Sequence, residues 1–538
     1  MRAASGLMVL GCAVAALLNG CGSASEPAPA SQPDPVLPPV IGLTRVSKAS
    51  PYSVGCDGVP AAGTLYQEAE VEPYLVVSPL NGTHLVGVWQ QDRWSSGGAH
   101  GLAAGVSFDS GASWSGVTLP FSICAGGSAA AGNDFERASD PWLSFSSNGV
   151  LYALSLSFTG DIFAANSSSA MLVSRSVDGG LNWGAPLTLQ HDGSNFFNDK
   201  GAITADPADS RYVYAVWDRL DRNNNGPTYL ARSIDGGLSW EAARAIYNPG
   251  TGDQTLGNQI VVLGDGTLLL FFTRIDNGSG GTYAATLYVI RSGDRGLNWS
   301  TAVKIADALP VPTVDPDTNA PVRDGSLLAG VAAGPANRLA VVWEDARFSG
   351  GAHNSIAFSQ SGDGGLSWSP PVRINGDPAA PAFTPSPQFN SDGAVGVSYF
   401  DFRHNGRDPA TLPTDGWLTV SQDGVNWSER RVAGPFDLRL APNADGFFIG
   451  DYHALAHLGA DFLLFLAHTN SDAGNRTDVY TQRISASSSS SSAKSWTAIK
   501  AAAGPQAVTP ELAARVSDNL KRQLREQQPP RRRAAKKR

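Results

Sequence analysis

The chain has 538 residues, of which 42% are hydrophobic and only 16% are charged, and its formal net charge at pH 7 is −9. Its 59 glycines and 13 tryptophans suit short strands joined by tight turns. Nothing in it resembles a phosphate-binding loop, a serine nucleophile elbow or a dinucleotide-binding fingerprint, which argues against the enzyme classes that carry those motifs.

Residues 1–20 have the pattern of a bacterial signal peptide. Arg2 precedes an apolar run over residues 7–18, which is too short to span a membrane well. The segment Leu18-Asn19-Gly20-Cys21 resembles a lipobox, so we expect Cys21 to be lipidated. This predicts an exported lipoprotein of the cell envelope or outer membrane, with plain secretion as the alternative. Residues 21–39, rich in Ala, Pro and Ser, predict a flexible tether.

Two cysteines remain downstream of Cys21. In an oxidising compartment Cys56 and Cys124 could form a disulfide that closes the N-terminal segment onto the first structural unit. Two free thiols are the alternative. The cysteine spacing matches no metal-binding motif.

A repeated motif, Ser-x-Asp-x-Gly-x-x-Trp, occurs six times, and the last copy is one residue short. The Asp residues of the six copies are Asp109, Asp178, Asp235, Asp294, Asp363 and Asp423. A near-regular period of this size indicates stacked supersecondary units. In each copy we expect the Asp to accept hydrogen bonds from turn N–H groups, the Gly to adopt positive φ, and the Trp to act as an apolar anchor.

On this motif the chain resembles the Asp-box (BNR-repeat) sialidase, or neuraminidase, superfamily of β-propellers, in the form of a secreted bacterial lipoprotein. The resemblance implies an all-β fold with four-stranded blades over residues 40–484 and with the six turns far from the active site. Seven segments of the sequence could begin the first strand of a blade, against six repeats. This favours seven blades, and six is the alternative. The seventh unit has three strands, and residues 41–46 could supply the fourth, closing the ring with strands from both ends.

Propeller strands alternate in direction, so the starts of first strands and the ends of second strands should share the face opposite the six repeats. Acidic and arginine side chains gather at these positions. We predict catalytic acid/base roles for Asp92, Asp401 and Asp345. The predicted substrate-binding residues are Arg93, Arg347, Arg403, Glu72, Asp140, Asp199, Asp451 and Tyr452. Ion pairs that only cap strands and link blades are the alternative interpretation.

The first blade departs from the sialidase pattern. Val71-Glu72-Pro73 stands where the family has Arg-Ile-Pro, and residues 94–101 lack the family's acid Asp. Tyr399 and Tyr452 are the matches for the family's nucleophilic Tyr, without an evident Glu partner. The resemblance implies a glycan-directed, exo-α-sialidase-like glycosidase (a hydrolase) and a glycan or glycoconjugate partner. The departures favour the alternative, a non-catalytic propeller that binds glycan or protein. We expect a monomer.

Two segments begin like calcium-binding loops. They are Asp221-Arg-Asn223-Asn-Asn225-Gly226 and Asp315-Pro-Asp317-Thr-Asn319, and both lack the expected glutamate. Polar turns are the expected interpretation and Ca2+ the alternative. No other cofactor or metal is expected.

The C-terminal region changes in composition. Residues 485–508 predict a Ser-rich linker, and residues 509–538 a basic tail with a candidate short helix starting at Thr509-Pro510-Glu511. From residue 494 onward there are 12 basic and 3 acidic residues, so this part is +9 and the remainder −18. The tail could contact anionic lipid, nucleic acid, cell-wall polymer or the propeller itself. A disordered, solvated tail is the alternative. We expect it to be dispensable for folding.

Overall fold

The computed structural model describes residues 38–58, 63–278, 280–485, 494–500 and 508–524. The predicted signal peptide, Cys21 and most of the tether lie outside these residues, as does the tail beyond Leu524. The described chain is built almost wholly from β-strands, with five short 3-10 helices and one α-helix. Its helical segments are too short or too polar to cross a lipid bilayer.

The strands, numbered in chain order after β1 (Thr44–Arg45), pair antiparallel with their sequence neighbours in seven successive groups. Single bridges, Ala99 to Ala138 and Ala69 to Thr477, also link the first group to the second and to the last. The first three groups are β2 (Leu65–Val77), β3 (Leu85–Trp94), β4 (Ala99–Ser107) and β5 (Ser115–Leu119); β6 (Arg137–Phe145), β7 (Leu151–Thr159), β8 (Ser168–Ser176) and β9 (Leu187–Gly193); and β10 (Phe196–Ala205), β11 (Val213–Asp221), β12 (Thr228–Ser233) and β13 (Arg244–Tyr247).

The next three groups repeat this order of four strands. They are β14 (Gln254–Val262), β15 (Leu268–Gly278), β16 (Thr282–Ser292) and β17 (Val303–Ala308); β18 (Gly330–Ala333), β19 (Leu339–Asp345), β20 (Ser355–Ser361) and β21 (Val372–Arg373); and β22 (Ala382–Phe389), β23 (Val395–Asp401), β24 (Pro413–Ser421) and β25 (Asn426–Asp437). The last group is β26 (Ala454–Leu458), β27 (Asp461–Asp472) and β28 (Asn475–Ile484).

The two ends of the chain close the ring. β1 pairs antiparallel with β28, with Thr44 opposite Thr481, so the last group gains its fourth strand from the N-terminus. The all-β propeller class and its closure by terminal strands are confirmed. Seven groups are consistent with the seven blades that the sequence favours.

The apolar core is divided into layers between neighbouring groups. Seven large clusters of buried side chains each draw on two adjacent groups. The closing layer joins the first group to the last, with Trp89 of β3 packed in the same cluster as Phe465 of β27. Alternating apolar positions therefore serve two interfaces, one on each side of every sheet.

The six repeats form the turns between third and fourth strands. In the first, Asp109 accepts from the backbone N–H of Ser113 at 2.9 Å and from the hydroxyls of Ser113 and Ser107. Hydrogen bonds from Ser113 and Ser107 lower the pKa of the exposed Asp109 carboxyl to about 2. The backbone N–H bond recurs around the other five Asp residues. These aspartates therefore stabilise the turns through hydrogen bonds to their carboxylates, as the sequence predicts.

The C-terminal region is attached to the propeller. β29 (Lys494–Thr497) pairs with β25 and β30 (Ile499–Lys500) pairs with β21, so part of the predicted linker adds edge strands to two groups. Beyond it, α1 (Pro510–Gln523) starts at Thr509, whose side chain accepts from Leu512 N at 3.2 Å.

The helix buries its apolar stripe in the layer between the fourth and fifth groups. Leu512, Val516, Leu520 and Leu524 pack in one cluster with Phe271 and Trp343. The helix thus contributes to the core, which argues against the expectation that the tail is dispensable for folding.

Candidate functional site

An ion cluster occupies the centre of the propeller. The Lys200 ammonium nitrogen lies 2.7 Å from Asp140 Oδ1, 2.7 Å from Asp451 Oδ2 and 3.5 Å from Glu72 Oε1. All three carboxyl groups are nearly inaccessible to solvent. One cation thus links the first, second, third and last groups.

Two arginines extend this cluster. Arg323 donates to both oxygens of Asp451, at 2.9 and 2.7 Å, and its guanidinium lies 4.3 Å from the centre of the Phe448 ring. Arg93 lies 4.9 Å from the same ring and donates to Gln90 at 2.8 Å. Gln90 in turn donates to Glu72 Oε2. Stacking and hydrogen bonds hold both guanidinium groups in place.

A bulge in the first strand of several groups aims these side chains at the axis. Glu72, Asp140 and Lys200 have φ values of 54°, 50° and 43°, in the left-handed region that non-glycine residues rarely adopt. The strand register shifts at each of these residues. A bulge turns a side chain out of the regular alternation, so these three residues converge although they belong to different groups.

A glycine before the first strand of the fifth group also lies close to the cluster. Gly325 has a φ of 64°, and a Cβ atom there would lie 2.1 Å from the backbone oxygen of Asp451. Only a residue without a side chain allows the Asp451 backbone to approach this closely. The position of Asp451 in the cluster therefore depends on a glycine 126 residues earlier.

The protonation states within the cluster differ. Burial raises the pKa of Glu72 to about 8, against the opposing effect of Lys200. Burial disfavours ionised Asp451, but Arg323 and Lys200 outweigh it and hold its pKa well below the ordinary value. Burial likewise opposes the charge on Lys200, yet Asp140, Asp451 and Glu72 hold its pKa well above the ordinary range. At neutral pH the cluster therefore contains a protonated Glu72 beside an ionised Asp451.

Two cavities meet at this cluster. The loop-side cavity, on the face opposite the six repeats, has a volume of about 490 Å³ and is bordered by the turn at Ser95–Gly98. The repeat-side cavity has a volume of about 520 Å³ and is bordered by Val77–Pro79 at the end of the first strand. Asp140, Lys200 and Asp451 line both, so the ion cluster separates the two spaces.

The loop-side cavity brings together five of the predicted residues. They are Glu72, Arg93, Asp140, Asp199 and Asp451. Tyr452 lines the repeat-side cavity instead, where its ring meets Trp142 at 5.5 Å between centroids. None of the remaining predicted residues, namely Asp92, Asp345, Asp401, Arg347 and Arg403, is among the described residues that line either cavity.

Two of the predicted catalytic residues form strand-end ion pairs. Asp345 accepts from its neighbour Arg347 and, at 2.7 Å, from the indole nitrogen of Trp343. Asp401 accepts from Arg403 at 2.6 Å and from the Trp417 indole at 2.9 Å. Each aspartate is fully buried among these donors. This arrangement matches the alternative interpretation, in which such pairs cap strands.

Tyr399 has a Glu partner that the sequence did not reveal. Its hydroxyl donates to Glu429, which also accepts from Arg403 at 2.6 Å. Tyr399 lies on β23 and Glu429 on β25, 30 residues apart, so only strand pairing brings them together. The pair is buried beside Trp427 between the fifth and sixth groups, away from the described linings of both cavities.

The third predicted catalytic residue, Asp92, lies under the N-terminal segment. Its carboxylate accepts from Ser50 Oγ at 2.7 Å and from Glu68 N at 2.9 Å, and it contacts His100. These contacts tie residues 38–58 to the first group. Cys56 and Cys124 join the same region through a disulfide.

The structure adds cavity residues that the sequence argument missed. They are Lys200, Arg137, Arg323 and, from the C-terminal helix, Gln523. Lys200 carried a signal in the sequence, because it directly follows the predicted site residue Asp199 where the third unit opens. Gln523 carried none, since its position depends on where the helix docks.

The two calcium-like segments form polar turns. Asp221 accepts from the backbone N–H groups of Asn223 and Asn225 at 2.7 and 3.0 Å. Asp315 accepts from Asp317 N at 2.9 Å and from Arg439 at 3.1 Å. Both carboxylates thus have partners within the chain.

No protein-family model and no curated protein matches the chain. Among solved structures, the α-L-arabinanase of Penicillium chrysogenum complexed with arabinobiose is similar over 64% of this chain and 92% of its own, with 16% identity and a TM-score of 0.40. The Hadza microbial sialidase Hz136 is similar over 74% of this chain and 76% of its own, with 15% identity and a TM-score of 0.40. The NanB sialidase of Streptococcus pneumoniae is similar over 81% of this chain and 71% of its own, with 12% identity and a TM-score of 0.39.

Proposed function

We propose that this chain is a carbohydrate-directed propeller that hydrolyses a glycosidic bond in the loop-side cavity. The observation that carries the proposal is the grouping of Glu72, Asp140 and Asp451 around Lys200 at one end of that cavity. Glycoside hydrolysis needs a carboxylic acid that donates a proton and a carboxylate that remains ionised. Cavities of this volume suit small ligands.

Glu72 is the proposed general acid. Gln90 occupies its Oε2, and its pKa near 8 keeps it protonated at neutral pH. Its proton passes to the glycosidic oxygen as the bond from that oxygen to the anomeric carbon breaks. Water adds to the anomeric carbon and gives its proton to Asp140, which Lys200 holds at 2.7 Å.

The lining favours a neutral sugar over an anionic one. The carboxyl groups of the loop-side cavity are those of Glu72, Asp140, Asp161, Asp199, Asp445 and Asp451. With Glu72 protonated, the other five still outnumber the four cations Arg93, Arg137, Lys200 and Arg323. Like charges in a desolvated site repel, so an added carboxylate on the sugar would weaken binding.

The proposal is tested by measuring turnover on a panel of aryl glycosides and polysaccharides. We expect Glu72→Gln and Asp140→Asn to lower kcat by roughly 100-fold or more, because each removes one half of the proton transfer. Asp401→Asn, a buried carboxylate outside the cavity lining, is the matched control and should retain turnover. Absence of turnover on every substrate would refute hydrolysis.

A second candidate function is recognition without catalysis. It is favoured by Lys200 itself, because an ammonium 2.7 Å from two of the carboxylates occupies the space between them. It predicts saturable glycan or peptide binding without product. Charge reversal at Asp140, Asp199 or Asp451 should abolish this binding, and binding that survives all three reversals would place the site elsewhere.

We also propose that lipid on Cys21 anchors the propeller at the bacterial cell envelope. The support is the lipobox-like segment that ends at Cys21 and the Ala-, Pro- and Ser-rich tether after it. A glycan at the cell surface would then be within reach of the propeller.

A further inference from the structure

A second cluster of reactive side chains lies under the N-terminal segment, apart from both cavities. The ligand atoms of Cys56, Cys124 and His100 all lie within 4.8 Å of one another. His100, on β4, is fully buried, whereas both cysteines are partly exposed. Asp57 adds a buried carboxylate, with Oδ2 3.7 Å from His100 Nε2.

The hydrogen bonds of His100 determine which ring nitrogen is the donor. Its Nδ1 lies 3.2 Å from Asp92 Oδ2. Both Asp92 oxygens already accept hydrogen bonds, from Ser50 and from the backbone of Glu68. A carboxylate so engaged is an acceptor, so Nδ1 is the donor toward Asp92 and the lone pair of Nε2 is left for another partner.

That lone pair faces another acceptor. Among the described residues, neither His100 Nε2 nor Asp57 Oδ2 has a hydrogen-bond partner, although both atoms are buried. Two facing acceptors repel unless a positive charge lies between them, and a buried polar atom without a partner requires an explanation. In the disulfide form a proton on Nε2 supplies that charge, and in the reduced form a metal ion can take its place.

We propose that reduction of the Cys56–Cys124 disulfide converts this cluster into a Zn2+ site. Cys56 Sγ, Cys124 Sγ and His100 Nε2 are three ligands. The Asp57 carboxylate, 3.7 Å from His100 Nε2 but outside that group of three, becomes the fourth by moving toward the two sulfur atoms. A dithiol reductant supplies two electrons and two protons to the disulfide and is itself oxidised. The two thiols lose those protons when they bind the ion.

The ligand set matches the chemistry of zinc. Thiolate sulfur, imidazole nitrogen and carboxylate oxygen are the protein ligands that zinc takes, and four of them complete its tetrahedral coordination. Asp92 behind Nδ1 supplies the outer hydrogen bond that orients zinc-binding histidines. The partial exposure of both cysteines gives a reductant and the ion access. The N-terminal segment would therefore stay joined to the first group under oxidising and reducing conditions alike.

The experiment uses the full chain with Cys12→Ser and Cys21→Ser, which removes the other two cysteines. The oxidised protein and the protein reduced anaerobically with dithiothreitol and then desalted are each titrated with Co2+ and next with Zn2+. We expect the reduced form to bind one equivalent of Co2+ with a thiolate charge-transfer band and a tetrahedral visible spectrum, displaced by Zn2+. The oxidised form should show neither band.

Variants test whether His100 is a ligand of the metal ion or whether the two thiols bind the ion without it. His100→Ala should weaken Co2+ binding by roughly 10-fold or more and change the visible spectrum. His84→Ala, a buried histidine bonded to Gly179 O elsewhere in the first group, is the matched control and should leave both unchanged.

Three results would overturn the proposal. One is reduced protein that binds Co2+ no better than the Cys56→Ser/Cys124→Ser double variant. Another is a His100→Ala spectrum identical to that of the parent. The third is reduction that abolishes the near-ultraviolet circular dichroism of the tryptophans without recovery on adding Zn2+, since a built site would restore the fold.

Discussion

The ammonium nitrogen of Lys200 lies 2.7 Å from Asp451 Oδ2, although the two residues are 251 positions apart in the sequence. This pair joins the third strand group to the last across the propeller axis. Asp451 also accepts two hydrogen bonds from Arg323, so two separate parts of the chain contact its carboxylate.

Lys200→Met should destabilise the protein by roughly 3–5 kcal/mol, because it leaves Asp140 and Asp451 buried without their shared cation. Lys304→Met is the control, since Lys304 pairs with Asp307 at the surface, and it should cost less than about 1 kcal/mol. Urea unfolding at pH 7 measures both. Equal losses would mean that the central cluster adds nothing to stability.

Glu72 should make stability depend on pH. Its pKa is raised from 4.5 to about 8 in the folded state, so between these values the folded chain binds more protons than the unfolded chain. This contribution is fully present below pH 4.5 and is lost as the pH rises through 8. The free energy of unfolding of the wild type, relative to Glu72→Gln, should therefore fall by a few kcal/mol (roughly 2–5) over that range. Parallel curves for the two proteins would contradict the raised pKa.

Asp401→Asn should lower the stability of the fold and leave ligand binding in the loop-side cavity unchanged. It weakens the bonds from Arg403 and Trp417 to a fully buried group, which costs about 1–3 kcal/mol. Because Asp401 does not line the loop-side cavity, ligand affinity and any turnover per folded molecule should stay unchanged. Calorimetric binding and denaturant unfolding on one preparation give both values. Loss of binding with unchanged stability would restore the catalytic role that the sequence predicts for Asp401.

Leu520→Ala should cost roughly 2–5 kcal/mol, because this fully buried side chain anchors the C-terminal helix in the layer between the fourth and fifth groups. Asp518→Ala, on the exposed side of the same helix, should change stability by less than about 0.5 kcal/mol. Deleting residues 508–538 should lower Tm at least as much as Leu520→Ala. An unchanged Tm after the deletion would show that the helix docks without stabilising the propeller.

Cys21→Ser should release the protein from the membrane fraction, because it removes the acylated residue of the proposed anchor. Fractionation in low and high salt measures this and separates lipid anchoring from contacts of the basic tail, which salt screens. A Cys21→Ser protein that stays in the membrane fraction at high salt would contradict the lipobox interpretation and favour a retained apolar N-terminus.

Local chemistry explains how much of the fold the sequence reveals. Each repeat contains both partners of its own turn hydrogen bonds. Asp109 and Ser113, for example, are four residues apart and bond to each other without help from distant parts of the chain. The repeat period and the leftover apolar strand at 41–46 then predicted the ring and its closure. The shared face of Glu72, Asp140, Asp199 and Asp451 followed from strand alternation alone.

The tertiary structure decided which of these side chains share a cavity. Asp92, Asp345 and Asp401 lie at the ends of second strands, as Arg93 does. Asp345 and Asp401 nevertheless stay out of the cavity, because the indoles of Trp343 and Trp417 donate to their buried carboxylates. Lys200 joins Glu72 and Asp140 because positive φ at a bulge turns all three toward the axis, and a pattern of residue types does not encode a backbone angle. Likewise, Tyr399 meets Glu429 only through strand pairing, and Gln523 reaches the cavity only because α1 docks there. Contacts within a few residues are set by local sequence, whereas contacts across the ring depend on how seven groups of strands pack around one axis.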